Sequence, residues 1–136
     1  MANDIKTRIG DTEKLTINLG VVDLGQIDLL VQEGFYSNRS DLIRTAVRQQ
    51  LATHSDALRQ VISRRSLTLG LLKLSRTELQ AAVASSTRLR LQVVGLARID
   101  DDVTPELAVA AIESIEVLGA LQASADVRRA LAGRIR

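Results

Sequence analysis

Lys14, Thr16 and Asn18 stand at alternate positions of the stretch KLTINL, with Leu15, Ile17 and Leu19 between them. A period of two places the polar residues on one face of an extended strand and the apolar ones on the other. Lys donates hydrogen bonds, and Thr and Asn both donate and accept, so this row can address the edges of base pairs. It can equally be the solvated face of an edge strand in an ordinary sheet. A second polar group, Ser37, Asn38 and Arg39, precedes an apolar stripe at helical spacing formed by Leu42, Ile43, Ala46, Val47 and Leu51. Ser37 or Asn38 can cap that helix, and the unpaired N–H groups of a helix's first turn attract anions.

Other chemistry is poorly supplied. The chain has no cysteine, and its one histidine, His54, has no acidic partner at ligand spacing, which suits a surface or capping position. Asp100, Asp101 and Asp102 are consecutive and lack the spaced ligands and glycine of a calcium loop, so they read as a turn leading into a helix cap. No phosphate-binding glycine loop or nucleophile elbow is present, and no serine has a histidine base near it. The expectation is a non-enzyme with no catalytic residues, no metal and no cofactor.

Composition narrows the partners. Of 136 residues, 46% are hydrophobic and 25% charged, in the range of globular chains. One Phe, one Tyr and no Trp leave almost nothing on which bases could stack, so single-stranded nucleic acid is disfavoured. Net charge is +2, with a slight acidic excess before residue 60 and a basic excess after it. Positive charge toward a nucleic acid would therefore have to be placed locally. The opening MANDIKTRIGDTEK lacks an apolar run, and no stretch approaches the roughly 18 apolar residues of a membrane span. A cytoplasmic, nucleoid-associated location without membrane contact is expected.

The elements that must position the two polar groups come next. Residues 1–12 read as a mobile tail and 14–19 as a strand. Leu24, Ile27, Leu30 and Val31 mark a first helix that Gly34 can stop. The second helix follows Ser37-Asn38. A break at His54-Ser55-Asp56 then leads into a short connecting helix within 55–65. Arg44 and Arg48 lie one turn apart on the second helix and suit either a solvated face or the DNA backbone; Arg64-Arg65 is equally open.

A strand alone cannot satisfy its ladder, and the simplest partner is the same strand of a second copy. The resulting ribbon would rest its apolar face on four helices and present Lys14, Thr16 and Asn18 twice. This strand–helix–helix order resembles the ribbon-helix-helix DNA-binding proteins of the Arc/CopG type. The resemblance rests on KLTINL, on Leu24, Ile27 and Leu30, and on GFYSNRSDLIRTAVRQQL, and covers residues 13–51. It implies that Lys14, Thr16 and Asn18 read bases. It also implies that Ser37, Asn38 and Arg39 bind a phosphate at the start of the second helix. Only Lys14 of the three readers is charged.

From Ser66 the texture changes, and the chain resembles itself at a shift of 24. Leu67, Leu91 and Ile115 align, as do Leu69, Val93 and Val117, then Leu72, Leu96 and Ala120. Leu79, Val103 and Val127 follow, and after them Val83, Leu107 and Leu131. Glu78, Asp102 and Asp126 form an acidic column suited to helix starts, and Pro105 after Thr104 suits a first helical turn. Gly70, Gly95 and Gly119 recur nearly in step, the first offset by one. Each unit reads as a strand, a glycine, a second extended piece and a helix. Such units are expected to stack as a solenoid whose open ends associate.

The expected fold is α+β. It comprises a ribbon-helix-helix dimerisation and DNA-binding domain at 13–54, a connecting helix at 55–65 and a three-unit, β-solenoid-like strand–helix domain at 66–136. The function it implies is a sequence-specific transcriptional regulator, a repressor acting as a homodimer on double-stranded DNA. Its C-terminal module would serve oligomerisation or partner binding. The rival is a DNA-tethered scaffold that self-assembles into filaments. An antitoxin ranks lower, because the C-terminal segment is long and patterned for folding.

Overall fold

A computed structural model describes residues 12–136. The chain divides into two compact units, Lys14–Val61 and Ile62–Arg136, and Glu13 groups with the latter.

The first unit holds helix α1 (Val21–Gln32), helix α2 (Arg39–Thr53) and most of helix α3 (Ser55–Arg64). α1 ends as its sequence suggests. Gly34 takes φ +86°, the Gly34 N–H donates to the Val31 carbonyl, and the Phe35 N–H to that of Leu30. This is the glycine-terminated Schellman arrangement. α2 opens on Asn38, whose side chain accepts from the Asp41 N–H at 2.8 Å. Leu24, Ile27 and Val31 of α1 are half-buried, as are Leu42 and Ile43 of α2, and none of the three helices contains a buried residue. Residues 14–19 pair with no strand among the described residues. Leu15 and Ile17 are 84% and 56% exposed, and Leu19 42%. Among the described residues, the strand expected there has no ladder.

The second unit alternates strands and helices: β1 (Thr68–Leu74), α4 (Arg76–Ala84), β2 (Leu89–Ile99), α5 (Pro105–Ala111), β3 (Ile112–Gln122) and α6 (Ala125–Ala130). The strands are parallel and lie in sequence order. Each helix is capped by a hydroxyl: Ser75 accepts from the Glu78 N–H, Thr104 from that of Leu107 and Ser124 from that of Val127. Ser75 also donates to the Glu78 carboxylate, a capping pair. Between helices and sheet lies a core of Leu74, Leu79, Ile99, Ala108, Ile112, Ile115, Val127 and Leu131. Alanine at 82, 108 and 111 lets the helices approach each other and the sheet. α5 runs directly into β3. Its last carbonyls are taken up by Arg134, whose Nη1 donates to Val109 at 2.6 Å and to Ile112 at 2.7 Å.

This arrangement corrects the solenoid expected from the period. The units lie side by side in one three-stranded sheet with a single layer of helices on one face. Each strand is continuous through its glycine, so no second extended piece forms a separate wall. Leu91 and Ile115 lie opposite each other, as do Val93 and Val117, at the expected shift. β1 does not follow it. Thr68, not Leu69, faces Val93, and Leu72 faces Ala97, because Gly70, Gly95 and Gly119 set the register. Their φ angles are +117°, +136° and +127°. The Gly70 backbone occupies the space a Cβ on Gly95 would need, and the Gly95 backbone does so for Gly119. Glycine is the side chain that fits here, and the column lines up because any other register would put a Cβ against a carbonyl. Asp102 also departs from its expected place. It lies in the turn before α5, and Glu106 occupies that helix's first turn.

Candidate nucleic-acid interface

The first unit carries all six residues that the sequence singles out. Lys14, Thr16 and Asn18 are exposed, on the extended segment leading into α1. Ser37, Asn38 and Arg39 are exposed where α2 begins. Lys14 to Asn18 and Ser37 to Arg39 thus form two polar groups on different stretches of the same unit.

The start of α2 is held by a reciprocal cap. Asn38 Oδ1 accepts from the Asp41 N–H, and Asp41 Oδ2 accepts from the Ser37 N–H at 3.0 Å. The sequence Asn38-x-x-Asp41 is a shortened version of the capping-box pattern, so this pairing has a local signal. The first helical bond runs from the Leu42 N–H to the Asn38 carbonyl. By position the N–H groups of Arg39 and Ser40 then point out of the helix end without an intrahelical acceptor. Two N–H donors at the positive end of a 15-residue helix suit a phosphate oxygen.

Arg39 has a second task that its position alone did not suggest. Its Nε donates to Asp28 Oδ1 at 2.7 Å and its Nη2 to Asp28 Oδ2 at 2.8 Å, a bidentate pair tying the start of α2 to α1. The hydrogen bonds from Arg39 hold the Asp28 carboxyl below the usual range and raise the guanidinium correspondingly. The fork leaves Nη1 for an outside acceptor. Asp28 lies eleven residues before Arg39, a separation without helical or strand periodicity, so nothing local in the sequence signals the pair. His54 terminates α2 and lies 3.2 Å from the Gln50 amide, consistent with its reading as a capping residue. Arg44 and Arg48 are exposed along α2.

Among the described residues, no group of three or more His, Asp or Glu side chains could hold a metal. No helix among them is long and apolar enough to cross a membrane.

No curated protein and no solved structure matches the chain. A family model does, over residues 10–128. The resemblance read from the sequence stops near Leu51, whereas this match runs on through β1, β2 and β3 into α6, so the sheet unit is part of the family's pattern. On that extent of match, the chain belongs to the Ribbon-Helix-Helix transcriptional regulator family.

Proposed function

We propose that the protein is a homodimeric, sequence-specific repressor. Residues 14–19 of two copies would form an antiparallel ribbon, which enters the DNA major groove. Lys14, Thr16 and Asn18 read base edges from its outer face. The Arg39 and Ser40 N–H groups at the start of α2, with the free Nη1 of Arg39, clamp a backbone phosphate and set the register. Ser37 and Asn38 hold that helix end in shape. The sheet unit serves assembly.

One observation carries the reading. Leu15, Ile17 and Leu19 form an exposed apolar row ahead of three helices that contain no buried residue. A unit of this size cannot be stable with its apolar side in water, and a second copy supplies what it lacks. In such a ribbon the apolar row turns onto the helices and the polar row turns outward. The alternative of a solvated edge strand leaves the apolar row uncovered.

Ile17→Pro tests it. Proline removes a ladder N–H from the centre of the ribbon. The full chain carrying it should lose the helical signal of the first unit and all preference among duplex sequences. A variant that keeps both would refute the ribbon.

A further inference from the structure

The first unit has no net charge to draw it to DNA. Residues 14–61 carry five Lys/Arg and five Asp/Glu. Their attraction for a phosphate backbone therefore depends on which cations are left unopposed, and where. Among the described residues, two of the five have a carboxylate partner. Arg59 meets Asp56 on α3 through one contact at 3.1 Å, between side chains that are almost wholly exposed. Arg39 meets Asp28 through two, Nε to Oδ1 at 2.7 Å and Nη2 to Oδ2 at 2.8 Å. A forked pair fixes the plane of the guanidinium as well as its place, which a single contact does not. Asp28 belongs to α1 and Arg39 is the first residue of α2, so the fork is anchored on a different helix from the cation. Nη1 lies at the corner of the guanidinium that Asp28 does not use.

We infer that Asp28 is a positioning residue for the phosphate contact of Arg39. It confines the guanidinium to one phosphate and, by opposing its charge, weakens the attraction of the unit for duplex DNA in general. The inference rests on the proposed function, in which Nη1 of Arg39 meets the backbone at the start of α2. An unpinned arginine has a long flexible stem and can follow whichever phosphate is nearest, so it contributes to every register alike. The fork removes that freedom. Nη1 then reaches a phosphate only when the DNA lies where the strand residues also meet their bases, and the contact counts toward one register. The carboxylate stands across the guanidinium from Nη1, within a Debye length of a phosphate bound there, so it also subtracts from the pull of the cation. Specificity is a ratio of affinities, and weakening the wrong registers raises it as surely as a new contact to the right one.

Asp28→Asn removes the charge and half of the fork. Both side chains are half-exposed, so the variant should keep the circular dichroism of the wild type. The probe is a mixed-sequence duplex, titrated with the full-length protein over a range of salt. Asp28→Asn should bind it about three- to tenfold more tightly, with the slope of log affinity against log salt steeper by about one per site. The preference for the duplex that the wild type selects from a random pool, over the mixed one, should fall by a similar factor. Asp56→Asn makes the same change in net charge beyond the other end of the 15-residue α2, roughly 22 Å away and more than two Debye lengths at physiological salt. It should move neither quantity. A carboxylate that only tethered α2 to α1 would change the unfolding midpoint and leave the salt slope alone. The inference is overturned if Asp28→Asn binds the mixed duplex no more tightly than the wild type, if it does so with the preference unchanged, or if Asp56→Asn tightens binding equally. Arg39→Ala separates this claim from the one beneath it. If Arg39→Ala weakens binding to the mixed duplex while Asp28→Asn changes nothing, the phosphate contact stands and the positioning role falls. If Arg39→Ala also changes nothing, the contact itself falls and the inference with it.

Discussion

Gly95 and Gly25 are the same residue type under opposite constraints, and substituting each should move stability in opposite directions. At Gly95 the backbone has φ +136° and the Gly70 carbonyl stands where a Cβ would go. Gly95→Ala must therefore strain the backbone and push neighbouring strands apart, costing on the order of 3 kcal/mol. At Gly25, inside α1, an added Cβ meets nothing within 4 Å. Gly25→Ala should raise stability by roughly 1 kcal/mol. Thermal unfolding of the two variants checks both signs. The proposed contacts with DNA divide in a similar way. Thr16→Ala or Asn18→Ala should remove discrimination of roughly 1–3 kcal/mol per reader while sparing nonspecific binding. Arg39→Ala should weaken all duplexes alike and flatten the dependence of affinity on salt. The glycines were visible in the sequence as a column nearly in step. Their offset, and not the apolar columns, turned out to mark the register, because a carbonyl facing a Cβ is a harder constraint than one apolar side chain facing another.

The helices α1 and α2 depend on polar contacts at their ends. Asn38→Ala removes the acceptor for the Asp41 N–H and should cost about 1 kcal/mol, read as a lower unfolding midpoint. The Asp28–Arg39 pair gives a pH test. Arg39 depresses the Asp28 carboxyl in the folded chain. The contribution of the pair is therefore complete above the ordinary aspartate range and is lost as pH falls through the depressed folded value. Asp28→Asn should lower stability slightly at neutral pH and converge with the wild type in acid, flattening the acid limb, and the effect should be small since both side chains are half-exposed. α1 and α2 could be placed from apolar spacing, Gly34 and the Ser-Asn opening, because those signals are local. The Asp28 contact could not, because it joins two helices across a turn. In the second unit, Thr104-Pro105 marked the start of α5 correctly. The acidic column misled at Asp102 because the loop before α5 carries three aspartates in a row, and the first hydroxyl after them caps the helix.

At the scale of the whole chain, the two units differ in how much of their stability is internal. Residues 62–136 enclose a core of fully buried Leu, Ile and Val, whereas the helices of 14–61 enclose none. Unfolding should therefore depend on protein concentration for the helical signal of the first unit, and less so for the sheet. That contrast was partly legible in the sequence. The lone amphipathic strand implied a missing partner, and the apolar columns implied a self-contained fold. Period alone could not reveal that the second fold is one sheet with an open face, since stacked coils and side-by-side parallel strands share the same spacing. The central claim is that the ribbon reads DNA sequence from its outer face. The most direct test is a selection of bound duplexes from a random pool, run in parallel with the wild type and with Thr16→Ala/Asn18→Ala. The wild type should enrich a two-fold symmetric site, and the double variant should bind weakly with no enriched site. The same site emerging from both, or none emerging from the wild type, would contradict it.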